Sequence, residues 1–171
     1  NKVCGLTSWS AAQAARAAGA VYGGLIFEEA SPRNVSRETA EDIISHEPGL
    51  HYVAVSRRTE NWAELVFPGI HAVQIHASYQ GSVEAELDLI EHVRTECHSI
   101  DPELQIWRAV SMTDGDPEWA QGIVDKLDAL VLDAGAGGSG TTFDWGQIPE
   151  GIKSRSLLAG GIGRDNLEDA L

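Results

Sequence analysis

Asp133 closes a short apolar run, Leu130-Val131-Leu132, and a glycine-rich stretch follows at once, with Gly135, Gly137, Gly138 and Gly140 separated only by Ala and Ser. A carboxylate at the end of a buried strand, beside backbone whose N–H groups are open to an anion, is how α/β enzymes set an acid next to a bound phosphate or carboxylate. A lone Asp before a loop is more often a helix cap. Glycines this dense are harder to explain that way, because each costs ordering entropy on folding. Other short apolar runs end in residues of comparable chemistry. Cys4 lies in KVCGLT, Arg33 in the SPR that follows YGGLIF, Gln74 and His76 in VQIH, and Gly160, Gly161 and Gly163 in LLAGGIG. Singly, each has an ordinary explanation: a small buried thiol, a solvated loop charge, a hydrogen-bonded core imidazole, a tight strand–helix turn. Together they supply a base, an acid, a cation and a phosphate-type turn, the set needed for acid–base chemistry on a phosphorylated anion.

These residues meet only if the strands that end in them run side by side. Apolar runs at residues 3–6, 22–27, 52–56, 72–76, 106–110, 129–133 and 156–162 predict seven strands. Amphipathic stretches at 11–18, 36–46, 60–67, 83–97, 119–127 and 165–171 predict helices between and after them, with Thr7 or Ser8, Ser36 and Asp165 placed to cap. Repeated strand–helix alternation builds a parallel sheet with helical crossovers. Every run is apolar on both faces, which favours closure into a barrel over an open flavodoxin-like sheet, the alternative. A barrel also opens all its carboxyl strand ends on one catalytic face. The expected fold is therefore α/β, a (β/α)8 TIM barrel lacking its eighth strand and helix, as a single domain over residues 1–171 that is incomplete at its C-terminus. Starting abruptly on Asn1, it reads as a piece of a longer protein.

Composition narrows the partners. The chain carries 26 Asp and Glu against 12 Lys and Arg, a formal charge of −14. Nucleic acid and anionic membranes reward basic patches, so neither is an expected partner. An anionic small molecule would need a local cation, which makes the few arginines informative. No run is long and apolar enough to span a membrane. Two cysteines in different settings, Cys4 and Cys97, suit a reducing cytoplasm rather than a disulfide framework.

KVCGLT, YGGLIF with its SPR, VQIH, LDAGAGGSGTTFDW and LLAGGI cover nearly the whole chain in this order. They resemble the phosphoribosylanthranilate isomerases of tryptophan biosynthesis. The resemblance implies a barrel that converts N-(5-phosphoribosyl)anthranilate to the corresponding 1-deoxyribulose 5-phosphate by an Amadori rearrangement, with no metal or organic cofactor. It implies Cys4 as general base and Asp133 as general acid. Arg33 would face the anthranilate carboxylate, Gln74 and His76 would line the pocket, and Gly160, Gly161 and Gly163 would hold the phosphate. In some relatives the barrel is fused behind indole-glycerol-phosphate synthase, an expected partner here.

The chemistry is consistent with these roles. Opening the aminofuranose ring needs a proton on its oxygen, so Asp133 acts in its protonated form. The Schiff base so formed loses its C2 proton to a base, for which a thiolate serves. A planar carboxylate suits the fork of Arg33 better than a lysine. The Gly160–Gly163 backbone can offer N–H donors to phosphate. Three positions depart from the family pattern: Ser56 where an aromatic is usual, Ala77-Ser78 where Gly-Asn or Gly-Asp is usual, and Ala134 in place of Asn. The eighth strand, with its Asp and the rest of the phosphate cradle, is absent. Two other readings are a histidine-pathway isomerase, which uses two Asp residues and is opposed by Cys4, and a phosphosugar-binding barrel without turnover.

Overall fold

Strands and helices alternate from the first residue to the last in the computed structural model, which describes residues 1–113, 117–134, 140–162 and 164–170. The chain divides into two compact units, residues 1–78 with 91–106 and residues 79–90 with 107–171.

The first unit is built on β1 (Lys2–Val3), β2 (Tyr22–Ile26), β3 (His51–Ser56) and β4 (Ile70–Ile75). Each pairs in parallel with the next, giving the order β1-β2-β3-β4. A flavodoxin-like sheet would place β1 between β2 and β3. The observed order therefore excludes the open alternative. Helices α1 (Trp9–Ala17) and α2 (Arg37–His46) are the crossovers, and their starts are written in sequence. Ser8 accepts from the Ala11 N–H at 3.2 Å, and Ser36 from the Thr39 N–H at 3.1 Å. Each helix buries a small-residue or branched stripe, Ala12 and Ala15 or Ala40 and Ile43. The strands return Leu25, Val53, Ala54, Ala72, Val73 and Ile75, all fully buried.

In the second unit β5 (Gln105–Ser111), which belongs to it from Trp107 on, pairs in parallel with β6 (Ala129–Asp133), and β6 with β7 (Ser156–Ala159), again in chain order. Val110, Leu130, Leu132, Ile123 and Ile152 form its core. Helix α3 (Val83–His98) starts at Ser82, whose Oγ accepts from the Ala85 N–H at 3.1 Å. Helix α4 (Leu167–Ala170) closes the described chain, starting two residues later than Asp165 would have it.

Four expectations need correction. The first strand stops at Val3 rather than residue 6, because Gly5 takes φ +79° and the Gly5 and Leu6 N–H groups both turn to the Gly24 carbonyl. β7 stops at Ala159, because Gly160 and Gly161 take φ +87° and +63°. Residues 60–67 form only a 3₁₀ turn, Trp62–Leu65. Residues 119–127 form no α-helix but two 3₁₀ turns, Pro117–Gly122 and Val124–Lys126. The first turn ends on Gly122 at a close approach, where a Cβ would lie 2.8 Å from the Val83 side chain. Two further 3₁₀ turns, Trp145–Gln147 and Glu150–Arg155, lie where the sequence showed no periodicity.

Candidate active site

The first unit gathers three of the sequence-derived residues. Cys4 follows β1 directly and is exposed. A Cβ on Gly24 of β2 would lie 2.7 Å from the Cys4 sulfur, so the thiol occupies the space that glycine leaves open. Gly5 plays the same part for Arg33. A Cβ there would meet Arg33 Cδ at 2.5 Å and Nη1 at 3.2 Å, so the arginine stem lies across the residue next to Cys4. Arg33 is reached through a loop that Asn34 and Ser31 shape, Asn34 accepting from the Glu28 N–H at 2.8 Å and Ser31 from the Arg33 N–H at 3.2 Å.

Arg16, Arg37, Arg58, Arg94, Arg108 and Arg155 each reach a carboxylate within 4.0 Å. Arg33, like Arg57 and Arg164, has no such partner among the described residues, although the chain is rich in acids. An exposed guanidinium with no carboxylate partner has the donors that an external anion would need.

Gln74 and His76 belong to the same unit. Gln74 is buried on β4, and the His76 N–H continues the ladder past the strand end by donating to the Ser56 carbonyl at 2.8 Å. Ser56 is buried and tied to Glu28. Glu28 Oε2 accepts from Ser56 Oγ at 3.3 Å and from the Arg57 N–H at 3.0 Å. Glu28 was missed in the sequence, yet it stands just past β2 and would have been found by inspecting every strand end alike.

The second unit holds the acid. Asp133 ends β6, half-buried, in register with Ser111 of β5 and Ala159 of β7. A Cβ on Gly160 would fall 3.2 Å from Asp133 Oδ1 and 2.9 Å from the Ala134 Cβ, so the glycine turn after β7 and the carboxylate are neighbours. Gly161 lies as close to the backbone of Thr141, and its carbonyl accepts from Asn166 Nδ2 at 3.1 Å. Thr113, also missed, braces this rim by donating to the Ala134 carbonyl at 3.0 Å. It sits two residues past β5, again at a strand end. Gly135, Gly137, Gly138 and Gly163 lie outside the described residues.

A thiol with an unpaired cation in one unit, and a carboxyl on a glycine turn in the other, are the parts expected of one family. The family model for N-(5'-phosphoribosyl)anthranilate isomerase matches residues 1–171. The chain belongs to the N-(5'-phosphoribosyl)anthranilate isomerase family. It is 60% identical over its whole length to the tryptophan biosynthesis protein TrpCF of Corynebacterium glutamicum, covering 36% of that protein. Over 99% of its length it is 39% identical to the protein of the same name from Yersinia pestis, covering 34% of it. It thus spans about a third of the length of these curated relatives. Crystal structures of phosphoribosyl anthranilate isomerase from Thermus thermophilus and Thermotoga maritima resemble it with a TM-score of 0.73 each, at 25% and 26% identity. The alignments cover 98% and 99% of this chain and 80% of each of those. The fold is that of the family's (β/α)8 barrel, with seven of the eight strands present. No helix is long and apolar enough to cross a membrane, and no group of three or more His, Cys, Asp and Glu could hold a metal ion, both among the described residues.

Proposed function

We propose that this chain carries out the isomerisation of N-(5'-phosphoribosyl)anthranilate, with Cys4 as general base and Asp133 as general acid. The observation that carries the reading is the unpaired Arg33 laid over Gly5, one residue from the Cys4 thiol. Asp133 gives its proton to the ring oxygen as the C1'–O bond breaks, and the anilino nitrogen lone pair forms the C1'=N bond. Cys4, as thiolate, takes the C2' proton; the electrons of that bond form C1'=C2', and the iminium becomes an amine. The enolamine then gains a proton at C1' as its hydroxyl becomes the C2' ketone. Arg33 takes the anthranilate carboxylate through its fork. Gln74 and His76 line the pocket, and the backbone of Gly160, Gly161 and Gly163 holds the phosphate.

The chain is one barrel domain of a cytoplasmic protein on this reading, with indole-glycerol-phosphate synthase as its fused or associated partner. The relatives' greater length supports such a fusion. The test is turnover in the full-length protein. Cys4→Ser and Asp133→Asn should each lose about 10²–10⁴-fold in kcat, with the Tm nearly unchanged. Asp133 as a helix cap predicts otherwise, since Asn caps as well as Asp and turnover would hold. Near-normal kcat in either variant removes that residue from the chemistry.

A further inference from the structure

Gln74 poses a problem that the pocket-lining role does not resolve. Its side chain sits on β4 with 3% of the residue's surface exposed, and its Oε1 is buried and accepts no hydrogen bond. Its ladder partner is Val55, whose own partner on β2 is Ile26. Partners in a parallel ladder share a face, and alternation places Gly24 on the same face as Ile26. That face of Gly24 is covered by the Cys4 sulfur. Gln74 therefore presents an orphaned amide oxygen on the strand face that carries the proposed base.

Folding gains nothing from this arrangement. A buried acceptor without a donor costs stability, and a methionine of similar volume would fill the place without that cost. Native structures keep such groups where something outside the fold supplies the partner. The chemistry of the atom says what that partner is. A carbonyl oxygen repels phosphate and carboxylate and selects a neutral donor, so the group it takes lies in the uncharged middle of a phosphosugar. We propose that Gln74 Oε1 accepts a hydrogen bond from a ribosyl hydroxyl of the substrate, and so determines specificity for the sugar between the two anionic ends. The inference rests on the function proposed above and adds which part of the substrate is held, and by which atom.

Gln74→Met in the full-length protein is the test, read by Tm, by steady-state kinetics and by binding of ribose 5-phosphate and of inorganic phosphate. The Tm should rise by about 2–4 °C as the orphaned acceptor is removed. KM should rise about 3–10-fold with kcat little changed, because the lost bond serves ground and transition states alike. Ribose 5-phosphate should lose affinity by the same factor, while inorganic phosphate keeps its affinity. A lower Tm with unchanged KM would make Gln74 a structural amide and overturn the proposal. So would an equal loss for ribose 5-phosphate and inorganic phosphate, which would place its effect on the anion. A wild-type protein that binds ribose 5-phosphate through Gln74 yet never turns over the anthranilate substrate supports this inference and overturns the isomerase reading alone.

Discussion

Arg33 reaches no carboxylate among the described residues in a chain with 26 acidic residues; six other arginines do, and Arg57 and Arg164 do not. Gly5 makes this arrangement possible. Its φ of +79° suits glycine, and any side chain there would strike the Arg33 stem. The arginine stem is therefore accommodated against Gly5 on an exposed residue. Replacing the fork by a point charge tests what it waits for. Arg33→Lys should weaken binding of the anthranilate substrate by about 1.5–3 kcal/mol, the range of a hydrogen bond to a charged group. Binding of ribose 5-phosphate, which lacks the carboxylate, should stay the same. Isothermal titration with both ligands settles the matter, and an equal loss for the two would assign Arg33 to the phosphate instead.

Strand positions were the most legible feature, although β1 and β7 each end three residues before their apolar runs do. Apolar runs bounded by glycine or a polar residue located all seven strands, and Asp133 was placed at its strand end to the residue. Capping serines located the starts of α1 and α2 for the same reason, since the hydrogen bond they make is local. What escaped was set by packing at a distance. Glu86 and Arg108 stand 22 residues apart, each in a run where a charge would ordinarily face water. Both are buried at 0% and 1% exposure of their side chains. Arg108 donates to Glu86 through Nε at 3.0 Å and Nη2 at 2.8 Å, and Glu86 Oε1 also accepts the Gln80 N–H at 2.9 Å. The Arg108 guanidinium lies over the Trp119 ring, which stacks on Tyr79. One buried pair thus fixes α3, β5, the loop before α3 and the turn after β5. Removing either partner leaves the other charge buried alone, so Arg108→Met or Glu86→Gln should cost about 3–5 kcal/mol. The double variant should recover most of that loss, as chemical denaturation of the four proteins would show. Additive losses in the double variant would mean that the two residues do not act as a pair.

Among the described residues two buried groups, both in the first unit, tie stability to alkaline pH. The Tyr52 hydroxyl donates to the Glu47 carbonyl, and burial, with the Glu47 charge second, pushes its phenol up to about 12. Burial, aided by Glu96, likewise pushes the Cys97 thiol up to about 12. Both groups are neutral when folded and ionise at lower pH once unfolded. A folded value raised above the unfolded one stabilises fully below the unfolded value and is lost as pH rises through the folded one. The Tm should therefore hold between about pH 7 and 8 and fall from there, more steeply above about 10, to about 12. Tyr52→Phe separates the two contributions. It should lower stability at neutral pH by about 1 kcal/mol, the worth of one hydrogen bond, and flatten the alkaline fall above pH 10. Thiol counting gives the other half of the result. At pH 8 the exposed Cys4 should react with an aromatic disulfide reagent in the native protein, and buried Cys97 only after unfolding. Rapid reaction of both thiols in the native state, or an alkaline fall unchanged in Tyr52→Phe, would mean that the first unit opens by some other route.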